Sequence, residues 1–189
     1  MPRYRPPHPS EYSDAQRELA RRWTVDRPAA SRAVFPLATD DGELLGPPSI
    51  WIASPAIGSA LASLGAQMRW GIALSERARE AAILAVAYAH DSAFEIFAHE
   101  RAGRSVGWTD ADLAAIRAGG APDDADEEVR SALDVARLLL AHRSLDAGAF
   151  AGAEAVLGVE HLMQLVALVT YYEMVAVQLA AFAVLPPAP

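Results

Sequence analysis

No cysteine occurs among the 189 residues. That absence excludes a disulfide framework, a thiol nucleophile, a thiolate metal site and dithiol redox chemistry. Strand-like runs rich in Val, Ile and Thr are scarce, although 52% of positions are hydrophobic and alanine supplies many of them. Such a balance favours an all-helical protein. Positive charge is short as well. The net charge is −8, and the basic patch of a nucleic-acid binder is missing. Met1–Ser10 lacks an apolar core and does not read as a secretory signal. The most hydrophobic stretch, Leu162–Leu185, carries Gln164, Glu173 and Gln178 along its length. It is a poor membrane span and a good core or interface helix. The expectation is a soluble cytoplasmic helical protein, with neither nucleic acid nor membrane among its partners.

What is present divides into segments. The first ten residues are Pro-rich and expected to be extended or mobile. Ser13 or Asp14 caps a short helix to about Trp23, with Leu19 and Trp23 as its anchoring face. From Val25 to Ile52, Pro28, Pro36, Pro47, Pro48 and a turn at Asp40–Gly42 predict a long irregular segment. Segments of that length serve as lids, arms around a partner subunit or binding loops. Phe35, Leu37, Leu44, Leu45, Ile50 and Trp51 give this one enough apolar surface to lie packed. Ser54 and Pro55 mark a helix start, running to about Trp70 with Ile57, Leu61, Leu64 and Met68 facing inward. Further helices are expected from Ser75 to Ala89, Ser92 to Val106 and Thr109 to Ala118, the last opened by a Thr109/Asp112 capping box. The acidic run Pro122–Glu128 suits the first turn of a long helix ending near His142 or Arg143. Asp146 then starts a helix stopped by Gly158, and a last one runs from about Glu160 to Val184. The organisation expected is a Pro-rich arm with one short helix over residues 1–53 and a single helical domain over 54–189. FEIFAH at Phe94–His99 echoes YEMVAV at Tyr172–Val177, as a duplicated helical hairpin would.

One ionisable cluster resists assignment to a solvated face. Glu80 lies one turn before the apolar stripe of its helix, and Glu95 and His99 share a face four residues apart. Packed as an antiparallel hairpin, the two helices bring Glu80 to the Glu95–His99 pair. A carboxylate facing an imidazole in apolar surroundings is a proton-transfer pair, because each shifts the other's pKa. Simpler readings stand beside this one. Ser92 and Glu95 fit a capping box, Glu80 can pair with Arg77 on the surface, and His99 can be a core histidine. Two carboxylates and one imidazole are a sparse ligand set for a metal. His90 is expected to be exposed or capping, and His142 and His161 to sit at helix ends. Tyr171 and Tyr172 read as core residues within reach of the cluster, Trp51 and Trp70 as packing anchors. The nearby cations Arg77, Arg79, Arg101 and Arg104 are expected in solvent.

The segment RAREAAILAVAYAHDSAFEIFAHERAGRSVGWTDADLAAIRAG at Arg77–Gly119 resembles the carboxymuconolactone decarboxylase family, which shares its fold with the alkylhydroperoxidase-D proteins. The pattern is R-x-R-E, an apolar helix, a tight turn, Y/F-E-x-x-x-H, then Ala and Gly, supplied here by Arg77, Arg79, Glu80, Phe94, Glu95, His99, Ala102 and Gly107. The likeness extends from about Gly46 to the end. It implies an all-α, alkylhydroperoxidase-D-like fold and a homo-oligomer, a dimer or trimer, with a pocket beside the hairpin. In the alkylhydroperoxidase branch two cysteines work with the histidine; aligned on His99, they fall at Ser92 and Glu95, so the chain resembles the cysteine-free branch. The implied activity is a cofactor-free, metal-free lyase or isomerase acting on a small-molecule oxo-acid or lactone. Its proton-transfer set is Glu80, Glu95 and His99. His99 is the proton donor, Glu80 raises its pKa and fixes its tautomer, and Glu95 is a second acid/base or a substrate-binding group. Two alternatives remain: a non-catalytic oligomeric helical protein with a sealed polar cluster, and a metal-dependent enzyme using the same residues.

Overall fold

A computed structural model describes residues 3–187. Nine α-helices follow one another among these residues: α1 (Asp14–Thr24), α2 (Ala29–Val34), α3 (Pro47–Trp51), α4 (Pro55–Ala66), α5 (Glu76–Ala89), α6 (Ala93–Ser105), α7 (Asp110–Arg117), α8 (Glu127–His142) and α9 (Ala147–Phe182). No strand occurs among them; Ala38 and Leu44 form one isolated antiparallel bridge. The fold is all-α.

The sequence of α5 explains its central place. Every residue from Ala78 to Ala87 is buried, and a helix buried on every side belongs in the middle of a domain. It packs against α6, α7, α8 and α9. Small side chains at Ala78, Ala81, Ala82 and Ala85 let these neighbours approach closely. Glu80 rides on this helix, so its carboxylate is carried into the interior and must find a partner there.

Start signals in the sequence do what their chemistry allows. Ser13 and Gln16 form a capping box on α1, Thr109 and Asp112 one on α7. Ser75, Asp126 and Asp146 accept the backbone N–H of the third helical residue of α5, α8 and α9. Gly158 leaves helical geometry (φ 74°, ψ 159°) inside α9, so the expected stop is real. The chain resumes its helix at once. By length and composition α9 meets the requirement for a membrane crossing. Leu162, Leu165, Leu168, Val169, Tyr172 and Val175 are nevertheless buried against the rest of the chain.

Three expectations need correcting. The segment from Val25 to Ile52 is not wholly irregular, since α2 and α3 lie within it; Pro47 and Pro48 are pre-set for the first helical turn. Its apolar side chains pack as expected, Phe35, Leu37, Leu44, Ile50 and Trp51 being buried. Ile57 and Leu64 face outward, whereas Gly58 and Gly65 face inward. A Cβ at Gly58 would strike the Trp51 carbonyl and Leu19, and one at Gly65 the Tyr171 ring. Close approach to neighbouring chain, not apolarity, sets the inner face of α4. Trp70 is 58% exposed and anchors nothing in the core. The first residues are extended and pinned: Arg3 donates through its N–H to the Phe182 carbonyl (3.0 Å), and Tyr4 meets the Phe182 ring edge-on.

Candidate functional site

The α5–α6 turn determines which side chains meet. Asp91 takes the left-handed conformation (φ 46°) that Asp tolerates better than most residues. His90 N–H and Ser92 N–H close the end of α5 on the Val86 and Ala87 carbonyls. α6 then returns beside α5 with Glu95 and His99 on the facing side. Phe94, Glu95, Ala98, His99 and Gly103 are its buried residues.

His99 is 3% exposed and lies between two carboxylates. Its Nδ1–H donates to Glu80 Oε2 at 2.7 Å. On the other edge of the ring, Nε2 stands 3.4 Å from Glu95 Oε2, beyond the usual N–H···O range, so its proton is not committed. Burial alone would push the imidazole's pKa down. The charge and hydrogen bond of Glu80, seconded by Glu95, overcome it and raise the value to about 9. Burial likewise works against the Glu80 carboxylate, but the charge and hydrogen bond of His99, with Arg79 and Arg69, hold it below the usual 4.5. The resting pair is therefore imidazolium and carboxylate.

Two of the simpler readings fail, the Ser92 capping box and the Glu80–Arg77 pair; the third, a core histidine bonded to a carboxylate, does describe His99. Ser92 makes no capping hydrogen bond, and its buried hydroxyl has no partner. Arg77 pairs with Asp124 at 2.9 Å and lies over the Trp108 ring, away from Glu80. Arg79 is buried instead of solvated, 3.7 Å from Glu80 and 3.6 Å from Glu76. Arg101 lies over Phe97, and Arg104 pairs with Asp110. The two carboxylates address opposite nitrogens of the imidazole, so the trio does not converge as ligands of one ion must. No group of three His, Asp or Glu side chains suited to a metal occurs among the described residues. Glu173, which the internal echo matches to Glu95, has different company: His90 and Arg143, each at 3.5 Å.

A cavity of about 250 Å³ opens beside Glu95 and His99. Glu80 is not on its wall; it stands behind the imidazole. The walls come from distant parts of the chain. The arm contributes Trp23, Arg27, Phe35 and Trp51, the π-helical turn Gln67–Gly71 contributes Arg69, and α9 contributes Tyr171 and Tyr172. Phe35 lies 5.9 Å from the His99 ring, and Tyr172 meets it edge-on at 5.0 Å. Trp51 is fixed by a 2.8 Å hydrogen bond from its indole N–H to Gln178. Burial, the largest influence, raises both tyrosine pKa values, so the phenols stay protonated. Arg27, Arg69 and Phe35 escaped the reading of the sequence. The signal available for Arg69 was a lone cation between Met68 and Trp70 at the end of an otherwise apolar helix.

Comparison with known proteins fits this arrangement. The profile of the carboxymuconolactone decarboxylase family matches residues 55–138, a span that includes Arg69, Glu80, Glu95 and His99. No curated protein matches the chain.

Proposed function

We propose that the chain, whose residues 55–138 match the profile of the carboxymuconolactone decarboxylase family, is a proton-transfer enzyme, a cofactor-free lyase or isomerase acting on a small oxo-acid or lactone. One observation carries the reading. His99 has its Nδ1 tied to buried Glu80 while its Nε2 and Glu95 face a cavity. A purely structural cluster would have no cavity beside it; here one lies against His99 and Glu95.

The chemistry needs little else. In a decarboxylation, the C–C bond to the departing CO₂ breaks and its electron pair passes into the adjacent carbonyl as an enolate. His99 Nε2–H then delivers its proton to carbon, and the neutral imidazole regains one from solvent. Glu80 keeps the ring in place throughout and favours its charged form. In an isomerisation, Glu95 removes a proton α to the carbonyl and His99 protonates the other end of the enolate. The aromatic wall excludes water, which lengthens the life of the carbanion. All 16 cationic side chains other than histidine are arginine, so no lysine is present to form an iminium with a ketone. Dithiol peroxidase chemistry is unavailable without cysteine. We also propose a homo-oligomer, supported by exposed Ile57, Leu64, Met163 and Val177; a monomer by light scattering would refute that part.

A turnover screen with lactones and 3-oxo acids, with His99→Gln as control, tests the proposal. The variant should keep its helical circular dichroism and lose roughly 10²- to 10⁴-fold in turnover. Turnover by the wild type should fall as pH rises past about 9, where His99 gives up its proton. Unchanged turnover in the variant would sink the assignment.

A further inference from the structure

The acid–base trio moves protons but does nothing for the oxygen on which charge gathers. Loss of CO₂ or of an α-proton leaves an enolate, and its oxygen calls for a donor that keeps its own proton. The last helix brings two phenols to the cavity wall, Tyr171 and Tyr172, and they are not equivalent. Tyr171 spends its O–H on the Leu61 carbonyl at 3.2 Å. Tyr172 O–H has no hydrogen-bond partner among the described residues, and its oxygen is not one of the polar atoms sealed in the interior. It therefore opens on the cavity that its ring lines. Trp51 N–H, another donor on this wall, is committed to Gln178. The Tyr172 ring is held firmly all the same. It meets the His99 ring edge-on at 5.0 Å and the Tyr171 ring edge-on at 5.3 Å, and only 3% of the residue is exposed. Burial, opposed by Arg69 and assisted by Glu95 and Glu80, lifts its pKa far above 10. The group is a donor across the working range of pH and not a base. A buried phenol with an uncommitted O–H is costly where phenylalanine would pack as well.

We propose that Tyr172 is a further catalytic residue, whose O–H donates to the enolate oxygen while His99 Nε2–H serves the carbon. This deepens the proton-transfer reading and rests on it. The electron pair of the breaking C–C or C–H bond moves into the carbonyl, and the oxygen gains the negative charge. Tyr172 lends that oxygen a hydrogen bond and keeps its proton; His99 gives one to carbon. Before the bond breaks, the same O–H meets a neutral carbonyl oxygen, a weaker acceptor. The interaction thus strengthens as charge develops, which is what lowers a barrier. Arg69, whose charge acts on the phenol as well as on Glu80 and Glu95, favours negative charge on the same side. Tyr172 lies beyond residues 55–138, so this donor comes from outside the stretch that holds the acid–base trio.

Dimedone tests this, because it is a stable enolate at neutral pH and its methyl enol ether is a neutral match in shape. In calorimetric titration the wild type should bind the enolate at least about 10-fold more tightly than the ether. Tyr172→Phe keeps the ring, and should cost the enolate roughly 10- to 100-fold and the ether less than about 5-fold. Equal affinity for the two probes, no dimedone binding at millimolar concentration, or equal losses in the variant would each overturn the proposal. Should Tyr172→Phe fail to fold, the ¹⁵N-labelled wild type decides. Its dimedone complex should show a new downfield proton signal without ¹⁵N coupling, and absence of that signal overturns the proposal. On any substrate that the turnover screen finds, Tyr172→Phe should lower kcat about 10²-fold with KM nearly unchanged. The titration reads affinity and not turnover, so its failure leaves His99 as the proton donor. Unchanged turnover in His99→Gln leaves the enolate affinity of Tyr172 standing in the same way.

Discussion

Replacing Glu80 by Gln removes one charge from the interior and leaves the shape almost intact. The amide oxygen can still accept from His99 Nδ1–H, so the ring keeps its orientation. The imidazolium loses its counter-charge. His99 is raised from 6.5 to about 9, a difference worth about 3 kcal/mol of preferential proton binding. At pH 8, about nine-tenths of His99 is protonated with a pKa of about 9, and roughly 3% with one of 6.5. The folded chain holds this proton more tightly than the unfolded chain. The stabilisation is thus complete below pH 6.5 and is lost as pH rises through about 9. Glu80 runs the other way: its depressed pKa stabilises the fold above about 4.5 and ceases to do so in acid. Glu80→Gln should flatten the loss of stability between about pH 6.5 and about pH 9 and move the His99 titration down by two units or so. Imidazole ¹H–¹⁵N spectra follow the proton, and urea unfolding across the same range follows the stability. A wild-type His99 titrating near 6.5, or a variant with an unshifted titration, would refute the electrostatic account of the site.

Two further substitutions test the surroundings. Ser92→Ala should leave stability unchanged or slightly improved by denaturant unfolding, because the buried hydroxyl makes no hydrogen bond; a loss of about 1 kcal/mol would mean that it caps α6 after all. Gly46→Ala should destabilise by at least about 2 kcal/mol in thermal unfolding. Gly46 has φ 62° and ψ −143°, and a Cβ there would fall on the Phe94 ring. A neutral result would show that the junction between the arm and α6 is looser than described.

Much of the fold can be read from the chain because its signals are local. Caps at Ser13, Ser75, Thr109 and Asp146 each set a helix start within a residue or two, and the unbroken apolar run of α5 marks the centre. The pairing of Glu80 with His99 follows from two helices and one turn, so it too was within reach. Failures came where distant chain decides. The inner face of α4 is set by how closely Trp51 and Tyr171 approach Gly58 and Gly65, which a periodicity of apolar residues cannot reveal. Arg27 and Arg69 lie 42 positions apart in sequence and meet through Phe35. Only the folding of the arm over the cavity brings them there.

The cavity's two halves come from parts of the chain with different provenance. Glu80, Glu95 and His99 lie inside the stretch that matches the family profile, as does Arg69, whereas Trp23, Arg27, Phe35 and Trp51 precede it and Tyr171 and Tyr172 follow it. Much of the cavity wall is thus encoded apart from Glu80, Glu95 and His99. Exchanging residues 25–52 would reshape the wall that carries Arg27, Phe35 and Trp51 while leaving Glu80, Glu95 and His99 in place, so the segment is a natural starting point for redesign.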